Sequence, residues 1–330
     1  MNLDSGNGVE SVKITILSDN TTDITLQTDP QFGGRVVQPR RKTIAALAEH
    51  GLAMMIEIDG KSILYDFGGF GLAILKNIEV LNINPTIFQK AVLSHGHFDH
   101  FGALMKMLPM MGPSKEVIIS PEIYKQKIVF VGEAGEKMDI NQLKANYKTL
   151  KKEGKIQEMP IIKKKMLENL IKENSQNLIE TRMPLELIPG VWTSGEIEIL
   201  DKSELTENLF LLSDNANFEE ETFRDEIAIY IKVKNKGLVV LTGCGHNGII
   251  NIIKHGQKLF GLDKIYAVIG GFHLNWSSEE GINKVLSYFQ EIKPTIISGM
   301  HCTGFNFNAK LFSLLPNNST QGVVGTTFAL

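Results

Sequence analysis

His95-Gly96-His97-Phe98-Asp99-His100 places four metal-competent side chains within six residues, directly after the apolar run Ala91-Val92-Leu93-Ser94. A short apolar run that meets a glycine reads as a buried strand emptying into a loop, so the four groups are expected at a strand's C-terminal end. Imidazoles two positions apart suit one metal ion, and the adjacent Asp99 and His100 are placed to turn toward a second. These ligand types fit zinc, with iron or manganese as alternatives at a mixed nitrogen and oxygen site. The competing reading is a solvated polar turn. It sits poorly with a chain of eight histidines that concentrates three of them here.

Other metal-competent residues also end apolar runs. Cys244 and His246 follow Leu238 to Gly243, His273 follows Ile265 to Phe272, and His301 follows Thr295 to Met300. A thiol beside a metal ion loses its proton, so Cys244 qualifies as a ligand. The plainer alternative makes Cys244 a small apolar core residue and His246 the cap of a helix beginning near Asn247. Gly270-Gly271 lets backbone or substrate approach closely, which leaves ligand, proton donor and substrate contact open for His273. His255 lies inside an expected helix and reads as a surface residue.

The spacing His-x-His-x-Asp-His after a strand resembles the metallo-β-lactamase superfamily, and further motifs extend the likeness. Glu49-His50-Gly51-Leu52 opens a strand and Asp66-Phe67-Gly68-Gly69 closes another. Thr242-Gly243-Cys244-Gly245-His246, Gly270-Gly271-Phe272-His273-Leu274 and Met300-His301-Cys302-Thr303-Gly304 follow in order. This series, over about residues 12–110 and 185–330, is similar to the subfamily that includes the dihydropterin-aminobenzene ribofuranosyl phosphate synthases.

The resemblance implies an α/β fold of the αββα sandwich type and a site for one or two metal ions, zinc first. It implies ligation by His95, His97, Asp99, His100 and His301, with Cys244 where the superfamily usually has a bridging carboxylate. Asp66 is implied as the group that holds a ligating imidazole by its other ring nitrogen. Asn20 and Thr21 are implied as substrate contacts, and His50 as facing substrate or backing a ligand. Asp99 is expected to accept a proton during catalysis, with His273 as the second catalytic and substrate-binding candidate. One departure stands out, because the superfamily usually has another histidine before the bridging position and residues 101–243 contain none. Trp192-Thr193-Ser194-Gly195-Glu196 stands about where it belongs. His246 first, or His273, is then expected to complete the site beside His95 and His97.

The elements that must carry these residues are legible in the periodicity. Val12 to Leu17 alternates as a strand, and Leu52 to Ile58 with Ser62 to Tyr65 flank Asp59-Gly60, the dipeptide of a tight hairpin. Leu72, Ile74, Leu75 and Ile78 have helical spacing, and Ile87 to Leu93 returns to strand. Residues 28–42, with Pro30, Gly33, Gly34, Pro39 and three arginines, read as a long loop. In the C-terminal half, strands are expected at 227–233, 238–241, 265–269 and 295–298, and helices at 249–259 and 281–292. Between the halves, 136–182 is rich in Lys and Glu and holds no histidine or cysteine. With helices expected at 143–150 and 163–171, the stretch 105–184 reads as an inserted α-rich cap on a domain spanning 12–330.

The chain of 330 residues, 43% hydrophobic and 22% charged, has material for a substantial core. A net charge of −3 leaves no electrostatic footprint for nucleic acid. No stretch approaches a membrane span, Met1 to Glu10 has no apolar signal region, and two cysteines make no disulfide framework. Cytoplasmic residence and a small-molecule substrate are expected. Two classes of function follow. One is a metal-dependent hydrolase or transferase acting on a phosphorylated or pterin-like small molecule. The other is a catalytically silent binding or sensing protein, which the missing histidine favours.

Overall fold

The computed structural model describes residues 8–39, 43–131, 140–205, 209–213 and 217–330, together with Leu3 and Gly6. Two of the three arginines of the long loop, and residues 136–139 of the charged stretch, lie outside the described residues.

One sheet runs in the order β2 (Val36–Val37), β18 (Thr327–Ala329), β1 (Lys13–Ser18), β3 (Ala53–Ile58), β4 (Lys61–Tyr65), β5 (Phe88–Val92), β6 (Glu116–Ile119) and β9 (Asn177–Glu180). The second runs β10 (Glu186–Ile188), β11 (Val191–Thr193), β14 (Ile229–Val233), β15 (Gly237–Thr242), β16 (Ile265–Gly271) and β17 (Ile296–Met300). Alternate side chains of both sheets point at each other and close one buried core, including Ile14, Ile56, Tyr65, Ile231, Val239 and Ile269. The other face of the first sheet buries Leu64, Ala91 and Val117 under α1 (Ala73–Val80), α3 (Leu104–Met111) and α5 (Lys164–Glu173). The outer face of the second buries Val240 and Val268 under α6 (Ile249–Phe260), α7 (Glu279–Ile292) and α8 (Phe305–Leu314). The result is the expected αββα sandwich.

The expected hairpin forms at Asp59-Gly60, with φ of 50° and 74° at its two central residues, both in the region its tight turn requires. The stretch 28–42 is less loop-like than expected, because Val36 and Val37 pair with the C-terminal strand at the sheet edge.

The stretch 105–184 does not stand apart as one α-rich cap. β6 and β9 extend the first sheet in parallel, and α5 covers it through Leu167 and Ile171. A separate small unit does exist, but it is an antiparallel sheet in the order β13 (Asn217–Glu220), β12 (Leu209–Ser213), β7 (Gln126–Phe130) and β8 (Ile156–Glu158). It packs on α4 (Ile140–Lys152) through Ile128, Leu143, Leu150, Ile156, Phe210 and Phe218. Two of its strands come from beyond residue 184. Strands this short, paired across such separations, leave little periodicity in sequence.

The parallel strands set up the site. β4 runs parallel to β5 in one sheet, β15, β16 and β17 run parallel to one another in the other, and all end at one rim of the sandwich. The loops there are tightly interlocked: Gly102 donates its N–H to Gly68 O, and a Cβ on Gly102 would fall on the Gly69 carbonyl. Gly102→Ala is therefore expected to cost about 3 kcal/mol or more, since backbone cannot yield as a flexible side chain would. Urea denaturation reads this directly, and an unshifted midpoint would refute it.

Candidate metal centre

Each strand end at this rim delivers a polar side chain. β5 leads to His95 and His97 and then to α2 (Phe98–Phe101), which carries Asp99 and His100. β15 leads to Cys244 and His246, β16 to His273, β17 to His301, and β4 to Asp66. Asp66, His273 and His301 all adopt left-handed backbone, with φ of 63°, 50° and 51°. Such conformations cost free energy outside glycine and concentrate where a side chain must be aimed.

The ligand atoms of Asp99, His100, Cys244 and His301 lie within 4.8 Å of one another, as do those of His95, Cys244 and His246. Cys244 thus stands between two clusters, as a bridging group would. A third set, Cys244, His273 and Cys302, meets the same limit. His97 adjoins the second cluster, its ring centred 4.7 Å from His95 and 4.8 Å from His246.

Three of the imidazoles share one arrangement. Nδ1 of His95 is hydrogen-bonded to Ser94 Oγ at 2.9 Å, Nδ1 of His100 to Asp66 Oδ2 at 2.6 Å, and Nδ1 of His301 to Asn20 Oδ1 at 2.9 Å. Every Nε2 turns inward instead. His95 Nε2 lies 3.1 Å from His246 Nε2, His100 Nε2 lies 3.0 Å from Cys244 Sγ, and His301 Nε2 lies 3.1 Å from Asp99 Oδ2. Anchoring one ring nitrogen so that the other is presented is how proteins orient imidazoles toward metals.

The donor chemistry fits a divalent ion. Buried imidazole, carboxylate and thiol converge, a mixture that zinc, iron and manganese accept to different degrees. Burial, with His100, His246 and His97 alongside, holds His95 well below the usual imidazole range and keeps it in the neutral, ligating form. Burial opposes ionisation of Asp99, yet His100, His301 and His50 outweigh it and hold the carboxyl well below its ordinary range. Burial would lower the His100 ring too, but Asp66 and Asp99 raise it to about 9. Metal loading would therefore displace a proton there.

The remaining sequence-derived residues fall at differing distances. His50 is half-exposed, with Nε2 3.3 Å from Asp99 Oδ2 and its ring 4.8 Å from that of His301. Asn20 backs His301 and His50 as well as reaching the surface. Thr21 engages Asp19 and Val324 through its backbone. His255, expected at the surface, is buried, with ring nitrogens on Glu198 N and Ser194 O. Thr193 and Ser194 are buried in that same packing, and His246 stands beside His95 and His97 where a further imidazole was lacking.

Sequence reasoning missed Asp225 and Glu226. Asp225 Oδ2 accepts from Gly96 N at 2.8 Å, while Glu226 accepts from the backbone N–H groups of Gly245, His246 and Asn247 at 2.7–2.8 Å. Their one signal in sequence is an acidic pair set immediately before the apolar run Ile227-Ala228-Ile229-Tyr230-Ile231.

Comparison with known proteins bears on the family and the fold. The metallo-beta-lactamase superfamily model matches residues 47–109, the stretch from His50 through the histidine loop. The 7,8-dihydropterin-6-methyl-4-(beta-D-ribofuranosyl)-aminobenzene-5'-phosphate synthase of Methanocaldococcus jannaschii is 33% identical over 266 residues, covering 78% of this chain and 82% of the synthase. An uncharacterised protein of the same organism is 29% identical over 278 residues, covering 84% of this chain and 92% of its own. Among solved structures, Tm1679, described as a metal-dependent hydrolase of the beta-lactamase superfamily, superposes with a TM-score of 0.68 at 23% identity, covering 96% of this chain and 98% of its own. Zinc-bound PqqB from Methylobacterium extorquens superposes at 0.52 with 11% identity, covering 96% and 100%. The superfamily model's match over the histidine loop, together with a relative 33% identical along most of both chains, makes this chain a member of the metallo-β-lactamase superfamily.

Proposed function

We propose that the protein is a metal-dependent hydrolase or transferase acting on a phosphorylated or pterin-like small molecule through a dinuclear site. The observation that carries this reading is the pair of buried ligand clusters meeting at Cys244, with Asp99, His100 and His301 on one side and His95, His97 and His246 on the other. Divalent ions bound there would polarise a phosphate or carbonyl oxygen and lower the pKa of water toward ~7. Zinc is the first candidate and iron or manganese the alternatives.

The chain's own groups have distinct tasks. Asp99 Oδ2, facing the inner nitrogens, accepts the proton lost by an attacking nucleophile. His50, hydrogen-bonded to that oxygen and half-exposed, relays it to solvent. Asp66, Ser94 and Asn20 hold three rings in aim. His273, 4.3 Å from the His246 ring, faces the substrate side. The missing histidine had favoured a silent binding protein, and His246 supplies a ring in its place.

Metal analysis tests this reading first. Protein given zinc, manganese or iron and then dialysed is expected to retain one to two equivalents. Retention below a tenth of an equivalent would end it. Trp276 tests the substrate class. It is 58% exposed with its ring centred 5.0 Å from His273, a platform on which a flat heterocycle can stack. The chain has two tryptophans, so Trp192→Phe leaves Trp276 as the sole tryptophan, excited selectively beyond the tyrosine absorption band. A dihydropterin is expected to quench its emission saturably. Turnover of a phosphodiester without any pterin quenching would keep the hydrolase and discard the pterin.

A further inference from the structure

The two halves of the centre hang from different sheets: the His95 loop follows β5 in the first, and the Cys244–His246 loop follows β15 in the second. Nothing in either loop's own sequence sets the distance between them. Adjacent residues 225 and 226 reach both.

Glu226, 1% exposed, spends both carboxylate oxygens on the second loop. Oε1 accepts from Gly245 N at 2.7 Å and His246 N at 2.8 Å, and Oε2 accepts from Asn247 N at 2.7 Å and Asn247 Nδ2 at 2.9 Å. Asp225, equally buried, accepts from Gly96 N in the first loop at 2.8 Å. Gly96 is needed there, since a Cβ would press on Asp225 Oδ2 and on the Ile123 backbone. The next residue completes the attachment: Ile227 N donates to Ser94 O at 2.7 Å, and Ile227 O accepts from Tyr65 Oη at 2.6 Å.

The small antiparallel sheet contributes as well. Lys127 of β7, 1% exposed, donates to Asp225 Oδ2 at 2.7 Å and lies 3.1 Å from Glu221 Oε2. A carboxylate this deeply buried is tolerable only when paired, and Lys127 pairs it. The same ammonium stands 5.2 Å from the Phe223 ring, which also stacks on the His246 ring, parallel within 3° at 4.1 Å.

We propose that Asp225 and Glu226 are positioning residues that set the spacing between the two metal loops, and that Lys127 couples the small sheet to that spacing. The inference rests on reading the histidine cluster as a metal centre. Outer groups that orient ligands typically govern metal affinity by about 10–100-fold.

Zinc affinity measured by competition with a chromogenic chelator, with cobalt absorption reporting geometry, tests the proposal in Glu226→Gln and Asp225→Asn. The expected result is about 10–100-fold weaker binding of one equivalent, the one held by His95 and His246, with the other within about twofold. Lys127→Met should weaken the same equivalent, and its effect should not add to that of Asp225→Asn. A folded Glu226→Gln protein that keeps both equivalents at wild-type affinity would overturn the proposal, and so would equal weakening of both. Should the variants fail to fold, amide exchange in the wild-type protein answers the same question. Metal is expected to slow exchange at Gly96, at Gly245 to Asn247 and along Gln126–Phe130, and no change at these amides would overturn it. A wild-type protein that takes up no metal instead defeats the functional reading itself, so the two failures are distinguishable.

Discussion

Asp99→Asn is expected to lower turnover by about three orders of magnitude while leaving the protein folded. The side chain keeps its shape in this variant, and the carboxylate is what disappears. Asp99 Oδ2 faces His301 Nε2 at 3.1 Å, His50 Nε2 at 3.3 Å and His100 Nε2 at 3.8 Å, so one atom serves three imidazoles. An amide there offers no anionic oxygen to accept a proton and no charge to balance His100. Loss of a positioned general base accounts for about 10²–10⁴ in rate, and weakened metal binding at this half of the site adds to it. Turnover should be measured on whichever substrate a panel of phosphodiesters and dihydropterins identifies, alongside circular dichroism and metal content. A variant within tenfold of the parent would remove Asp99 from the chemistry.

His246→Ala is expected to lower metal content from two equivalents to about one. Zinc holds tightly with three or four protein ligands, and without His246 the half-site keeps His95, His97 and a shared Cys244. The 3.1 Å approach of His95 Nε2 to His246 Nε2 is the geometric basis, because two imidazole nitrogens turned toward each other in a buried space suit a common ion. The substituted site also loses the face against which Phe223 stacks, so unfolding by urea should be recorded to separate metal loss from instability. His273→Ala is the matched control, expected to retain its metal and lose turnover. Unchanged metal content after His246→Ala, with loss after His273→Ala, would exchange the two assignments.

How far the sequence reached depended on how local each pattern is. His95 to His100 lie on one strand end and one helical turn, so their convergence follows from chain geometry over six residues, and the run before them announces the strand. The hairpin at Asp59-Gly60 and the helices α6 and α7 were legible for the same reason: their periods are 2 and 3.6 and their punctuation is adjacent. Cysteines and histidines behind apolar runs also marked strand ends. That is a local signal, and it predicts that the residues reach the rim.

Which of them meet at the rim is decided by the register of two sheets packed face to face, and no local period records it. His246 meets His95 across 151 residues, Asn20 backs His301 across 281, and Lys127 pairs with Asp225 across 98. The small sheet draws β7 and β8 from one stretch and β12 and β13 from another, so its composition read as helical cover while its pairing made it a sheet. His255 sits on a helix face that only packing against β14 and the 194–198 segment could bury. By itself the sequence determined the superfamily fold, the histidine loop and the strand ends that carry its partners, because those properties live within a few turns of chain. The tertiary structure alone decided that His246 is the imidazole that meets His95 and which buried carboxylates hold the two loops, because those follow from where distant backbone amides, desolvated together, find their acceptors.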